Sequence, residues 1–128
     1  MICDMAVLKL LTGANTLLDA QLTGINVRQS GRGVDVDLSF KSRAGSDFPF
    51  FCLKFTEVQY FDFSYEEPQV FLEIWEFKFI KLADGCFYLT LDPDPSTLGS
   101  AGVEDLQDSE TDRFCVRARH VEFVITNS

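Results

Sequence analysis

Eleven of the thirteen phenylalanines fall between Phe40 and Phe87, threaded through Val, Ile, Leu, Tyr and Trp at mostly alternating spacing. Successive side chains of a strand point to opposite faces, so this alternation describes a half-buried antiparallel sheet. The same stretch carries no Cys-x-x-Cys, no glycine-rich phosphate loop and no histidine. Its most legible part therefore specifies a scaffold and not a reaction.

Val34, Val36, Leu38 and Phe40 alternate with Asp35, Asp37, Ser39 and Lys41, which predicts a strand with one wet and one dry face. Ser30-Gly31-Arg32-Gly33 supplies a tight turn before it, and folding back sets Val27 opposite Val36 and Ile25 opposite Leu38. Asp84-Gly85 is the preferred dipeptide of a two-residue type I′ loop. Folding about it pairs Leu82 with Phe87 and Ile80 with Leu89 on one face, and Lys81 with Tyr88 on the other.

Between these hairpins, Phe51 to Tyr65 slips phase from Phe51, Leu53 and Phe55 to Val58 and Tyr60, then back to Phe61 and Phe63, which predicts bulges or a corner. Val70 to Leu82 reads as strand from its β-branched and aromatic content, although Ile74, Phe77 and Lys81 also lie at helical spacing. Arg113 to Thr126 has Phe114, Val116 and Ala118 in one phase and Val121, Phe123 and Ile125 in the other, and reads as one long strand bent near Arg119-His120. Ala6 to Leu11 fits a short helix or a strand and is broken by Gly13-Ala14-Asn15.

Six or seven strands with short turns and at most one short helix predict an all-β fold, an antiparallel sandwich or flattened barrel. A chain of 128 residues makes one domain, 1–128. One connection is unusually long: about 20 residues from Asp92 to Asp112, rich in Pro, Gly, Ser, Thr and acid.

The formal charge of −9 repels phosphate backbones and anionic membranes, so nucleic-acid binding is disfavoured. A negative surface keeps a protein soluble and steers cationic partners toward it. Cys3, Cys52, Cys86 and Cys115 are scattered without metal-ligand spacing and read as reduced core thiols, with neither a metal nor a cofactor implied. Asp4 stands where a signal peptide carries positive charge, Lys9 interrupts the following apolar run, and no segment reaches bilayer-spanning length. The expectation is a cytoplasmic protein.

Asp92-Pro93-Asp94-Pro95-Ser96 places oxygen donors at alternate positions, as calcium loops do. An EF-hand then needs Gly and Glu where this chain has Thr97 and Val103, so a stiff proline-bounded loop is the better account. His120, the only histidine, lies about 16 Å of extended chain from Cys115, too far for a dyad, and is expected at a strand bend. Glu57, Asp62, Glu73 and Glu76 interrupt apolar strands; partly buried they would have raised pKa values, and on the solvent face they would protect the sheet from association.

The acidic run Glu104, Asp105, Asp108, Glu110 and Asp112 is either a solvated loop or a surface that docks on a basic partner, unless Arg113, Arg117 and Arg119 neutralise it internally. Tyr60, Tyr65, Trp75 and Tyr88 are amphipathic aromatics of the kind enriched at interfaces. The residues assigned to partner binding are Glu104, Asp105, Asp108, Glu110, Tyr65 and Trp75. Phenylalanines beyond the need of one core would mark a homodimer seam, a partner surface or a ligand cavity.

The order of a Gly-turn hairpin, the strand Leu53-Lys54-Phe55-Thr56-Glu57-Val58, an Asp84-Gly85 hairpin and the strand entry Glu110-Thr111-Asp112 resembles small bacterial β-proteins, among them immunity proteins of polymorphic toxin systems. The resemblance implies an acidic cytoplasmic protein that binds and neutralises a toxin domain. Three functions follow as expectations: a non-enzymatic module binding a basic protein partner, a carrier with a Phe-lined cavity for a small hydrophobic ligand, and a hydrolase using strand-borne carboxylates.

Overall fold

The computed structural model describes residues 1–31, 33–64, 73–97 and 108–127. Its strands are β1 (Ile2–Cys3), β2 (Gln21–Ser30), β3 (Gly33–Lys41), β4 (Phe50–Asp62), β5 (Lys78–Lys81), β6 (Phe87–Asp92) and β7 (Arg113–Thr126). They form one antiparallel seven-stranded sheet in the order β2-β3-β4-β7-β6-β5, which does not close into a barrel. Strand β7 pairs with β4 along one side and divides its other side between β6 and β1. A single α-helix among the described residues, α1 (Met5–Leu10), buries Val7 and packs Leu8 and Leu10 against the core.

The β2–β3 hairpin takes the register expected from its pattern, Val27 opposite Val36 and Ile25 opposite Leu38. The second hairpin does not. Lys81 pairs with Phe87, Ile80 with Tyr88 and Phe79 with Leu89, a register displaced by one residue from a two-residue loop. The backbone explains the shift: Gly85 N–H donates to the Leu82 carbonyl and Leu82 N–H to the Cys86 carbonyl, at 2.9 and 2.8 Å. The loop thus has three residues, Ala83-Asp84-Gly85, with Gly85 at φ 92° in the conformation that a type I turn plus bulge requires.

Among the described residues of the segment expected to be strand from Val70 to Leu82, strand is confined to Lys78–Lys81. Glu73 to Phe77 is irregular, because Ile74 spends its backbone on Asp19 and Ala20 instead of a ladder; positions 70–72 lie outside the described residues. Strand β4 carries its bulge between Val58 and Tyr60, where its pairing to β7 shifts by one. Burial along β7 changes phase across the exposed Arg119-His120, in step with the irregularity on β4.

The shifts leave most rings on one side. Phe40, Phe48, Phe51, Phe55, Phe87, Phe114 and Phe123 are buried in one core, with Phe63, Phe77 and Phe79 packed on it. Phe40 stacks on Phe51 at 4.9 Å between centroids, and Phe51 on Phe123 at 5.4 Å. Ring surface is therefore spent in part on other rings. On the opposite face of β5, β6 and β7 lies a smaller cluster of Ile80, Leu82, Cys86, Tyr88 and Cys115.

Candidate functional site

The register set by the three-residue loop places Lys78, Ile80 and Tyr88 on the smaller face, beside Cys115 and Arg117 of β7. Lys78 is a buried cation there. Its Nζ lies 3.0 Å from one carboxylate oxygen of Asp112 and 3.2 Å from the other, and neither side chain is exposed. The Tyr88 hydroxyl donates to Asp112 at 2.7 Å, the Asp94 N–H at 2.8 Å and the Ser109 N–H at 3.1 Å. Burying an ion pair costs more than it returns unless its remaining hydrogen-bonding positions are filled, and here they are. Because Asp94 and Ser109 bracket the long connection, one carboxylate clamps both of its ends to the sheet.

Over this clamp lies a cleft of about 450 Å³ lined by Gln59, Tyr60, Tyr88, Asp108, Ser109, Glu110, Asp112, Cys115 and Arg117. Gln59 reaches it because the bulge frees this residue from regular pairing. Its Oε1 accepts from Arg117 Nε at 3.2 Å and from the Cys86 thiol at 3.3 Å. Arg117 donates further to Asp108 at 3.0 Å and to Asp84 of the three-residue loop. All three guanidinium nitrogens are thus engaged, and the hydrogen bond to Asp84 holds the Arg117 pKa above its usual value. Asp84 is held below the usual carboxylate range, first by the Cys86 N–H and then by Arg117.

Burial, followed by the bond to Asp112, pushes the Tyr88 phenol far up, so it stays a proton donor. Burial also pushes the Cys115 thiol up to about 11, and at neutral pH it is not a nucleophile. A second cleft, of about 670 Å³, opens where β3 and β4 part after Val36–Phe55 and Glu57 takes φ 52°. Ser30, Asp35, Glu57 and Arg119 line it, and Gln59 lines both clefts.

Of the residues assigned to partner binding, Asp108 and Glu110 are brought together on the first cleft. Asp108 is engaged by Arg117, whereas among the described residues no cation pairs with Glu110. Trp75 is 80% exposed and outside both linings, beside the Ile74 that is tied to Asp19 and Ala20. Tyr65, Glu104 and Asp105 lie outside the described residues. Glu57, Glu73 and Glu76 are exposed and Asp62 is half-buried, which does not suit buried catalysis. Glu57 and Asp62 lie on the interior strand β4 and Glu73 and Glu76 on no strand, so the edge-protecting account does not fit them either. His120 is exposed, 3.4 Å from Asp4 through Nδ1 and 3.4 Å from Glu57 through Nε2.

Asp94 uses one carboxylate oxygen on the Ser96 N–H and hydroxyl, an internal turn and not a calcium cradle. Among the described residues no group of three or more His, Cys, Asp or Glu is placed to hold a metal ion, and no helix is long and apolar enough to cross a membrane. Lys78 and Gln59 were not singled out by sequence patterning. The one signal for Lys78 was its place between Phe77 and Phe79 on a strand with apolar residues on both faces. No protein-family model matches the chain, and neither a curated protein nor a solved structure matches it.

Proposed function

We propose that the protein is a non-enzymatic protein-binding module that receives a basic segment of a partner in the cleft between β4, β7 and the base of the 92–112 connection. The observation that carries this reading is the pairing of exposed acid with a fixed aromatic floor. Glu110 and Asp108 stand at the margin, Tyr60 is 55% exposed beside them, and the Asp112 clamp anchors the backbone they rise from. Tyrosine offers a flat face and a hydroxyl to Lys or Arg, and the acids supply complementary charge. Arg117 does not repel such a guest strongly, because Asp84 and Asp108 already neutralise it. With a non-nucleophilic thiol and exposed strand carboxylates, binding is better supported than hydrolysis. An immunity-like role in the bacterial cytoplasm, neutralising a toxin domain, fits the acidic face and the order of hairpins.

Native affinity capture from the source cells supplies the partner, and stopped-flow mixing then tests the cleft. Glu110→Ser and Tyr60→Ala should slow association several-fold, with the wild-type rate falling as salt rises. A variant carrying Glu104→Ser and Asp105→Ser tests the rest of the acidic run. Association rates unchanged in all three variants would exclude this surface.

A further inference from the structure

The outermost strand of the sheet is long and poorly protected. Among the described residues β2 has only β3 beside it, so one side of a ten-residue strand is open. Sheet edges of this length are normally guarded by lysine, proline or inward charge. Gln21 to Ser30 contains neither lysine nor proline, and its one charged residue, Arg28, is held by Asp37 at 3.1 Å. The edge is thus a neutral stripe on a chain of charge −9. On its core-facing side Ile25 and Val27 remain 44% and 45% exposed, although their partners Leu38 and Val36 are buried.

The backbone says which groups are open. In a hairpin closed by Ser30 opposite Gly33, the closing pair exchanges both backbone bonds, and the pattern alternates from there. Ser30, Arg28 and Asn26 spend theirs on β3, while Gln29, Val27 and Ile25 turn N–H and C=O outward. We infer that β2 pairs edge to edge and antiparallel with β2 of a second copy of this chain, about a two-fold axis at Asn26.

That axis makes the strand self-complementary. Ile25 meets Val27 of the other copy twice, both in outward-bonding positions, so two apolar pairs extend the two cores across the seam. Arg28 lies opposite Gly24, where no side chain crowds it. The seam carries no net attraction between charges, and the whole chains repel each other. Dimerisation is therefore favoured by salt, the reverse of capture of a basic partner in the cleft.

Sedimentation velocity on the full chain at high micromolar concentration reads the result. A dimer is expected, tightening from low to half-molar salt, retained by Val27→Thr and dissociated by Val27→Lys with unchanged circular dichroism. Hydrogen exchange gives a second reading free of any variant that fails to fold. The Ile25 and Val27 amides should gain protection as protein concentration rises, while those of Asn26 and Arg28 are protected throughout by β3. A monomer at all concentrations overturns the inference. So does a dimer that survives Val27→Lys, or Ile25 and Val27 amides whose exchange ignores concentration.

Discussion

A lysine and an aspartate with no exposed side-chain surface are accommodated as neighbours because the carboxylate is surrounded by donors. Removing the cation leaves Asp112 buried with its hydrogen bonds but no counter-charge, so Lys78→Met should cost roughly 3–5 kcal/mol of stability by urea denaturation. Tyr88→Phe removes one bond to a charged acceptor and should cost about 1.5–3 kcal/mol. The two losses should fall short of additivity in the double variant, because both act on one carboxylate. A Lys78→Met loss of about 1 kcal/mol or less, the range of a surface pair, would show that water reaches the site. Asp112 was visible in the sequence as one more acid of a run. Its burial was not, because that depends on Lys78 from a strand 34 positions away, and no local pattern encodes such a meeting.

At the scale of elements, legibility depended on how many backbone conformations a turn sequence admits. Ser30 and Gly33 flank a turn whose length was fixed by the apolar residues on either side, and the register followed. Asp84-Gly85 admits a two-residue loop and also the last two positions of a three-residue loop, and both place apolar residues opposite one another. What decides is that β6 is buried on both faces, so alternation no longer distinguishes the registers. The three-residue form rests on Gly85 at φ 92°, where an added Cβ meets nothing within 4 Å. Gly85→Ala is therefore strained by its backbone alone and should cost about 1 kcal/mol. Gly33, without a positive φ and with its nearest Cβ contact at 3.8 Å, should accept alanine without that strain. Equal midpoints for the two variants in urea would contradict this account of the loop. The bulge on β4 was legible as a phase slip, but its consequence, Gln59 delivered to Arg117 and Cys86, required the pairing to β7.

For the whole molecule, fold class was written in alternation and ring content, since a chain this rich in strand-forming aromatics has one economical way to bury them. The order of strands was not, because β7 pairs with β4, β6 and β1 from across the chain. The same deep burial sets how the fold answers to alkali. Burial, and next the Asp37 charge, raises the Cys52 thiol; burial pushes Cys115 up to about 11; Tyr88 is raised by burial and its bond to Asp112. Each group loses its proton more readily in the unfolded chain, where thiols titrate near 9.0. Between pH 9.0 and about 11 the unfolded chain therefore holds fewer protons than the folded one, and stability falls as pH rises. Below that window these groups are protonated in both states and contribute no slope. The opposite limb comes from Asp84 and Asp94, held below 3.8 by the Cys86 N–H with Arg117 and by Thr111 with Ser96; their contribution is lost as pH drops through those lowered values. Thermal unfolding followed across the alkaline window should show a steady decline, made shallower by Cys115→Ala because one of the linked protons is gone. A flat profile through that window, or an identical slope in the variant, would mean that the thiol is ionised as freely in the folded protein as in the unfolded chain, and that burial at the floor of the cleft does not hold its proton.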